Sequence, residues 1–250
     1  MTNFGTLNVK NNFKILVMIK RILAIIPARG GSKAFPRKNI ITLAGKPLIA
    51  WTISAALNSK YITKTVVSTD DNEISNISKK EGVTVIKRPI ELATDTSSSV
   101  SAVRHVLDYY DSNGETFDIV ILLQPTSPLR TSKNIDDAFK IMLEIKAKSL
   151  ISVCETDNKF LKSFTKTSFG YLQGISNNKY TFMRRQDLPI TYLSNGAIYI
   201  IFTKEFLKFD SFFTDKTIEF IMSKEQSVDI DSPNDLHKAE LIFNSSFTKK

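Results

Sequence analysis

Arg29-Gly30-Gly31-Ser32-Lys33 is followed closely by Arg37, Lys38 and Asn39. Adjacent glycines let backbone N–H groups turn towards an anion, and cations alongside neutralise phosphate charge. The segment lacks the glycine-lysine-serine ending of a Walker loop and the third glycine of a dinucleotide fingerprint. A phosphate cradle and a solvated basic turn are the two readings. Near the other end of the chain, Asp229 and Asp231 flank Ile230. Period two puts both carboxylates on one face and Ile230 in the core. Two carboxylates plus substrate phosphates suit Mg²⁺. An exposed edge segment, or Asp231 capping a helix that starts near Pro233, explains the same spacing equally well. Asp70-Asp71 is the rival acidic pair, and an N-cap for a helix over Asn72–Lys80 is the simpler account of it. Gln124, at the head of Gln124-Pro125-Thr126-Ser127-Pro128-Leu129-Arg130, can present an amide; the same stretch can also simply lead into a helix capped by Ser132.

Such groups need elements to hold them. Ile22-Leu23-Ala24-Ile25-Ile26, closed by Pro27, is a short aliphatic run of the kind buried on both faces of a sheet. Further strands are predicted over Thr65–Ser68, Val83–Ile86, Asp118–Leu123 and Leu150–Val153. Helices are predicted between them over Leu48–Leu57, Asn72–Lys80, Ser97–Tyr110 and Ile135–Ile145. This alternation gives an α/β fold: a mostly parallel twisted sheet flanked by helices, joined by right-handed crossovers. Ligands of such sheets bind beyond the carboxyl ends of the strands. The loops 29–39, 69–72 and 124–130 all fall at that edge. The rhythm breaks after Cys154: residues 155–195 hold no clear helix, and Gly170, Gly174 and Asn177-Asn178 suggest hairpins of a small antiparallel excursion. Asn195–Phe202 reads as a turn into a strand, Thr217–Met222 as another strand, and Pro233–Phe243 as a terminal helix.

Composition removes several classes. The chain has 250 residues, with 1 Cys and 2 His. Cys154 cannot form an intrachain disulfide and fits a reducing, cytoplasmic setting. So few ligating residues exclude the usual zinc sites. A Ser/His/Asp hydrolase would have to recruit His105 or His237, which read better as packing or surface residues; Cys154 reads as a small buried residue. The net charge is +9. Residues 1–21 contribute +4 and Lys249-Lys250 +2, which leaves +3 for the body. A general polyanion surface, and with it nucleic acid, is not expected. The apolar run Ile15–Ile19 is broken by Lys20 and Arg21, too short for a secretory signal or a membrane span. Residues 1–20 are expected to be a flexible tail ahead of one domain over 21–250, with Met18 as an alternative start.

Five motifs in order carry a family resemblance: Ala28–Lys33 with Lys38-Asn39; Arg88-Pro89 with Leu92–Ser99; Leu122–Arg130; Asn195-Gly196-Ala197-Ile198-Tyr199; and Asp229-Ile230-Asp231. From about Arg21 to Leu241 the chain resembles the N-acylneuraminate cytidylyltransferases (CMP-sialic acid synthetases) and their legionaminic-acid relatives. The resemblance implies a Rossmann-like nucleotidyltransferase fold. It implies transfer of CMP from CTP to the anomeric hydroxyl of a nine-carbon 2-keto-3-deoxy sugar acid, with release of pyrophosphate, for surface glycan synthesis. Mg²⁺ and a homodimer are implied with it. By motif position, Arg29, Gly30, Ser32, Lys33 and Lys38 would hold the triphosphate, and Asn39, Arg88 and Ser99 the cytidine. Asp229 and Asp231 would hold the metal, and together with Arg29 and Lys38 they form the implied catalytic set. Gln124, Asn195, Tyr199, Phe212 and Phe213 would line the sugar pocket; read without the resemblance, Tyr199 and the two phenylalanines are core residues. Lys162 and Arg185 lie in the excursion, about 155–195, which is similar to a dimerisation element reaching into the partner's site.

One position departs from the pattern. Where the sialic-acid enzymes carry an arginine two residues before the Asn-Gly-Ala-Ile-Tyr segment, this chain has Leu193. An apolar group there suits a legionaminic-type sugar with a C9 methyl. Other acceptors, a pseudaminate or an octulosonate, and a non-catalytic nucleotide-binding homologue remain the competing expectations.

Overall fold

The computed structural model describes residues 21–31 and 35–247. The expected tail, and Ser32 and Lys33 of the first loop, lie outside the described residues.

In chain order the elements are β1 (Ile22–Pro27), β2 (Thr42–Leu43), β3 (Lys46–Pro47), α1 (Leu48–Leu57), β4 (Lys64–Thr69), α2 (Asn72–Lys80), β5 (Thr84–Lys87), α3 (Ser99–Ser112), β6 (Ile119–Leu122), α4 (Ser132–Ile145) and β7 (Ser149–Thr156). Then follow β8 (Phe164–Lys166), β9 (Leu172–Gly174), β10 (Thr191–Phe202), α5 (Thr203–Phe209), β11 (Thr217–Ile221) and α6 (Pro233–Phe247).

Seven strands form one sheet in the order β11-β7-β10-β6-β1-β4-β5. β6, β1, β4 and β5 pair in parallel, as do β11 and β7. β10 runs antiparallel to both of its neighbours and joins the two parallel blocks. The aliphatic run of β1 explains its central place. Leu23 and Ile25 enter one apolar cluster, Ala24 and Ile26 the cluster on the opposite face, all of them 0% exposed. Each fully buried Leu or Ile contributes about 1.5–3 kcal/mol, so this strand anchors both layers.

The periodic elements appear where the sequence puts them, with ends moved by at most a few residues. β10 is different. It begins at Thr191 and runs through Asn195-Gly196, which the sequence reads as a turn. The register with β7 shifts between Ser194 and Tyr199, so the Asn-Gly pair forms an irregularity inside a strand. Pairing with β7 on both sides of the irregularity overrides the local turn signal. Asp229-Ile230-Asp231, expected to be extended, lies in an irregular stretch that belongs to no strand and bends at Asp231; Ile230 is buried and its N–H donates to Thr126 O at 2.8 Å. The excursion contains one small hairpin, β8 with β9, and short 3₁₀ turns. Among the described residues no helix is long and apolar enough to cross a membrane.

Candidate active site

The carboxyl ends of β1, β4, β5 and β6 share one edge because those strands are parallel. The antiparallel β10 brings its opposite, N-terminal half to that edge. The segment after β11 returns there with Asp229 and Asp231. The result is a polar cavity of about 350 Å³ lined by Arg29, Lys38, Asn39, Arg88, Ser97, Ser98, Ser99, Gln124, Thr126, Asp229 and Asp231, among others. Five positions predicted for CTP or catalysis therefore converge with both predicted metal carboxylates.

Each cation is held in place. Arg29 donates to Thr94 O and pairs with Asp95 at 3.0 Å, which ties the first loop to the segment ahead of α3. Lys38 Nζ donates to Asp231 Oδ1 at 2.5 Å. Asn39 is buried, and its amide donates to Arg29 O at 2.9 Å. Arg88 is buried as well, donating through Nε to Ser68 Oγ (3.1 Å) and through Nη2 to Ser68 O (2.6 Å). Burial pushes its pKa down to about 10, reinforced by the positive charge of Arg29; it remains a cation at neutral pH.

The acidic pair after β4 divides its work. Asp71 caps α2, accepting from the N–H groups of Glu73 and Ile74 at 2.9 Å, as its position predicts. It also pairs with Arg37, so that cation of the first loop is engaged away from the cavity. The Arg37 guanidinium and the helix amides hold the Asp71 carboxyl below the usual range, against the opposing cost of its burial. Asp70 accepts the Gly30 N–H at 3.0 Å. A Cβ at Gly30 would stand 2.7 Å from Asp71 Oδ2, so this glycine answers a close approach, and its amide is donated inward.

Asp229 and Asp231 satisfy the chemistry expected of a divalent-ion site. Both face the cavity. Partial burial raises the pKa of Asp229, and the like charge of Asp231 adds to the rise, while Thr126 and Lys38 oppose it. Two crowded carboxylates beside a phosphate-sized cavity suit Mg²⁺, which takes one or two protein carboxylates and keeps waters and phosphate oxygens as its other ligands. Among the described residues no group of three or more His, Cys, Asp or Glu could form a self-contained metal cage. Asp231 does not cap α6; Ser232 does, through contacts to the N–H of Asp235.

The expected sugar residues separate. Gln124 lines the cavity, and its Oε1 lies 2.5 Å from where a Cβ on Gly196 would sit; Gly196 has φ +75°. Asn195 is buried and saturated: Oδ1 accepts from Ser152 Oγ (2.6 Å) and Ala197 N (3.1 Å), and Nδ2 donates to Ser227 Oγ (2.9 Å). Tyr199 OH shares a hydrogen bond with Ser194 Oγ at 2.8 Å, and its ring rests on Phe212. Phe212 is in the core, packed against Phe206, as the residue-level reading expects, while Phe213 is exposed. Lys162 donates to Met183 O, and Arg185 faces Asp157 at 3.5 Å; neither reaches the cavity of its own chain. His237 is exposed, His105 is half-buried in α3, and Cys154 is half-exposed where a buried site is expected.

Two further residues matter, which the sequence names only as members of the Leu122–Arg130 motif, without a role of their own. Arg130, 2% exposed, donates through Nη1 to Gln124 O (3.2 Å) and Ala197 O (2.9 Å), clamping the Gln124 loop to β10. Thr126 hydrogen-bonds Asp229 and carries the carbonyl that Ile230 binds. Only the folded pairing of distant segments makes either visible.

Residues 23–242 match the family model described as Cytidylyltransferase. The chain belongs to this family. It is 39% identical over 217 residues to the CMP-N,N'-diacetyllegionaminic acid synthase of Legionella pneumophila, covering 86% of this chain and 93% of that protein. It is 36% identical over 228 residues to the N-acylneuraminate cytidylyltransferase of Escherichia coli O18:K1:H7, covering 89% of this chain but 52% of that one. The chain thus spans about half the length of some curated relatives it matches. Among solved structures, a CMP:2-keto-3-deoxy-manno-octonic acid synthetase complexed with CTP superposes with a TM-score of 0.69 over 91% of this chain and 100% of that one, at 16% identity. That likeness bears out the nucleotidyltransferase fold, and the family match bears out the resemblance read from the five motifs.

Proposed function

We propose that this cytidylyltransferase moves CMP from CTP to the anomeric hydroxyl of a nine-carbon 2-keto-3-deoxy sugar acid. The observation that carries the reading is the single cavity in which Arg29, Lys38, Asn39, Arg88 and Ser99 face Asp229 and Asp231. Arg29 and Lys38 are placed to grip a polyphosphate, while Asn39, Arg88 and Ser99 offer donors and acceptors to the nucleoside. The hydroxyl oxygen attacks the α-phosphorus in line; the new P–O bond forms as the bond to the bridging oxygen of the β-phosphate breaks, and the hydroxyl proton leaves. Catalysis of this kind rests on positioning and charge neutralisation. Asp229 and Asp231 would hold Mg²⁺, which when bound offsets negative charge on the phosphates. On binding CTP, Lys38 exchanges its Asp231 contact for phosphate oxygen.

The acceptor reading favours a legionaminic-type sugar. Leu193 is 65% exposed at the edge of the site and offers an apolar contact suited to a methyl group. The 39% identity to the Legionella synthase supports the same choice. Pyrophosphate release should require CTP with such an acid, and competitive turnover should favour N,N'-diacetyllegionaminate over N-acetylneuraminate. A strong preference for N-acetylneuraminate, or for a pseudaminate or octulosonate, would defeat that assignment. Release from CTP with none of these acids would defeat the function.

The chain works as a homodimer in this reading. The excursion exposes Phe169 (85%) and Phe182 (89%), together with Phe164, Tyr171 and Leu172, an apolar set that a second copy would cover. Lys162 and Arg185 would then face the partner's acceptor. Light scattering at micromolar concentration should give twice the 28.2 kDa chain mass; a monomer that turns over normally would refute it. CTP as donor and a lone cysteine fit work in the cytoplasm.

A further inference from the structure

Asp95 lines the polar cavity beside Arg29, on the turn that leads from β5 into α3. The Arg29 guanidinium spends both of its terminal nitrogens on that turn. Nη1 donates to Thr94 O, and Nη2 pairs with Asp95 Oδ1 at 3.0 Å. The turn is braced from within. Thr94 O also accepts the N–H of Ser97 at 3.2 Å. Ser97 Oγ accepts the N–H of Thr94 at 3.2 Å and donates to Glu91 O at 3.3 Å. Ser98 then caps α3, accepting the N–H of Ser101 at 3.1 Å. The backbone under Asp95 is thus fixed, and its side chain is the part that can move.

A triphosphate and Asp95 ask for the same nitrogens. An arginine grips a phosphate best through two parallel N–H groups, and here both terminal nitrogens are engaged. Like charges inside one cavity of about 350 Å³ also repel. The Arg29 and Asp95 side chains are 29% and 40% exposed, so water screens their pairing and it is readily exchanged. The Thr94 carbonyl carries no net charge and keeps a hold on the guanidinium when the carboxylate gives way. We infer that Asp95 is a positioning residue that stands in for phosphate: it keeps Arg29 at the cavity, yields it to the triphosphate of CTP, and takes it back as pyrophosphate leaves. The inference rests on the proposed reaction and names the group that competes with its donor substrate and with its leaving product.

The test is calorimetric binding of CTP to the full chain with Mg²⁺ and without acceptor, followed by steady-state turnover with N,N'-diacetyllegionaminate. Asp95→Asn should tighten CTP about 2- to 5-fold, the scale of one screened ion pair. Pyrophosphate should become a stronger inhibitor against CTP by a similar factor. Cytidine, which has no phosphate, should bind as it does to wild type. Asp95→Glu keeps the charge and should stay near wild type. The gain in Asp95→Asn should shrink at high ionic strength, and most of it should vanish in an Arg29→Ala background, because the competition runs through that guanidinium. CTP binding that is unchanged or weaker in Asp95→Asn, with normal binding and turnover by wild type, would overturn this inference and leave the proposed function standing. An equal gain for cytidine, or a gain kept in full without Arg29, would show an effect that bypasses the phosphate contact and overturn it too. A wild-type chain that binds no CTP, or binds it and releases no pyrophosphate, would remove the proposed function, and this inference with it.

Discussion

The two ends of the candidate site are made differently. At the nucleotide end the cations come from loops that follow parallel strands, and each is locked to a neighbour: Arg29 to Asp95, Lys38 to Asp231, Arg88 to Ser68. At the acceptor end the walls come from β10, the end of β7 and the turn after β11; Asp157 there pairs with Arg185, and Lys224 lies beside Glu225. On the proposed reading the first end is preorganised for the triphosphate of CTP. The second leaves its charge and its apolar surface to individual side chains, where a change of acceptor needs little rebuilding.

That contrast breaks if changes at one end move the parameters of the other. The largest effect belongs to the paired aspartates of the polar cavity. Asp229→Asn and Asp231→Asn should each cut turnover at least about 100-fold in Mg²⁺, with circular dichroism unchanged; near-normal rates would remove the metal assignment. Next, Arg29→Ala should lower kcat/KM for CTP about 10- to 100-fold, the value of a charged phosphate contact, while acceptor KM holds. A parallel loss for the acceptor would dissolve the distinction between the ends. Gly196→Ala tests the acceptor side through the backbone. A side chain at φ +75°, pushed against Gln124 Oε1, should cost about 1–3 kcal/mol of stability in chemical denaturation and raise acceptor KM more than CTP KM.

The smallest effect lies outside both ends. Asp71→Ala removes a helix cap and should cost about 1 kcal/mol, seen as a lower Tm at pH 7. The folded chain holds the Asp71 carboxyl below its ordinary value. Its contribution is therefore fully present above the model-peptide range and is lost as pH falls through the lower, folded value. Wild type and variant should converge in Tm at acid pH. A constant gap down to pH 2 would mean that ionisation of Asp71 plays no part.

The nucleotide end was far more legible in the sequence than the acceptor end. β1, α1 and α2 were readable because an aliphatic run, a helical period and an acidic cap each report locally on structure. The edge at which 29–39 and 124–130 meet followed from strand alternation alone. β10 was misread at its start, since Asn195-Gly196 signals a turn locally and only pairing with β7 on both sides of it keeps the strand going. Asp70 and Asp71 looked equivalent, yet one binds Gly30 and the other caps α2. Ser227 carried no signal: nothing in its spacing shows that it accepts a hydrogen bond from Asn195 on another strand.

Arg130 bears on how such a chain can change. Its guanidinium is buried, and Nη1 alone holds carbonyls from two separate stretches of backbone, while Nε and Nη2 have no hydrogen-bond partner among the described residues. Those stretches move as one body, so remodelling the main chain under the acceptor would strand a charge in the interior. New substrate preferences then arise more readily by exchanging side chains along the rim, and an engineer after a different sugar should rewrite position 193 before touching any loop.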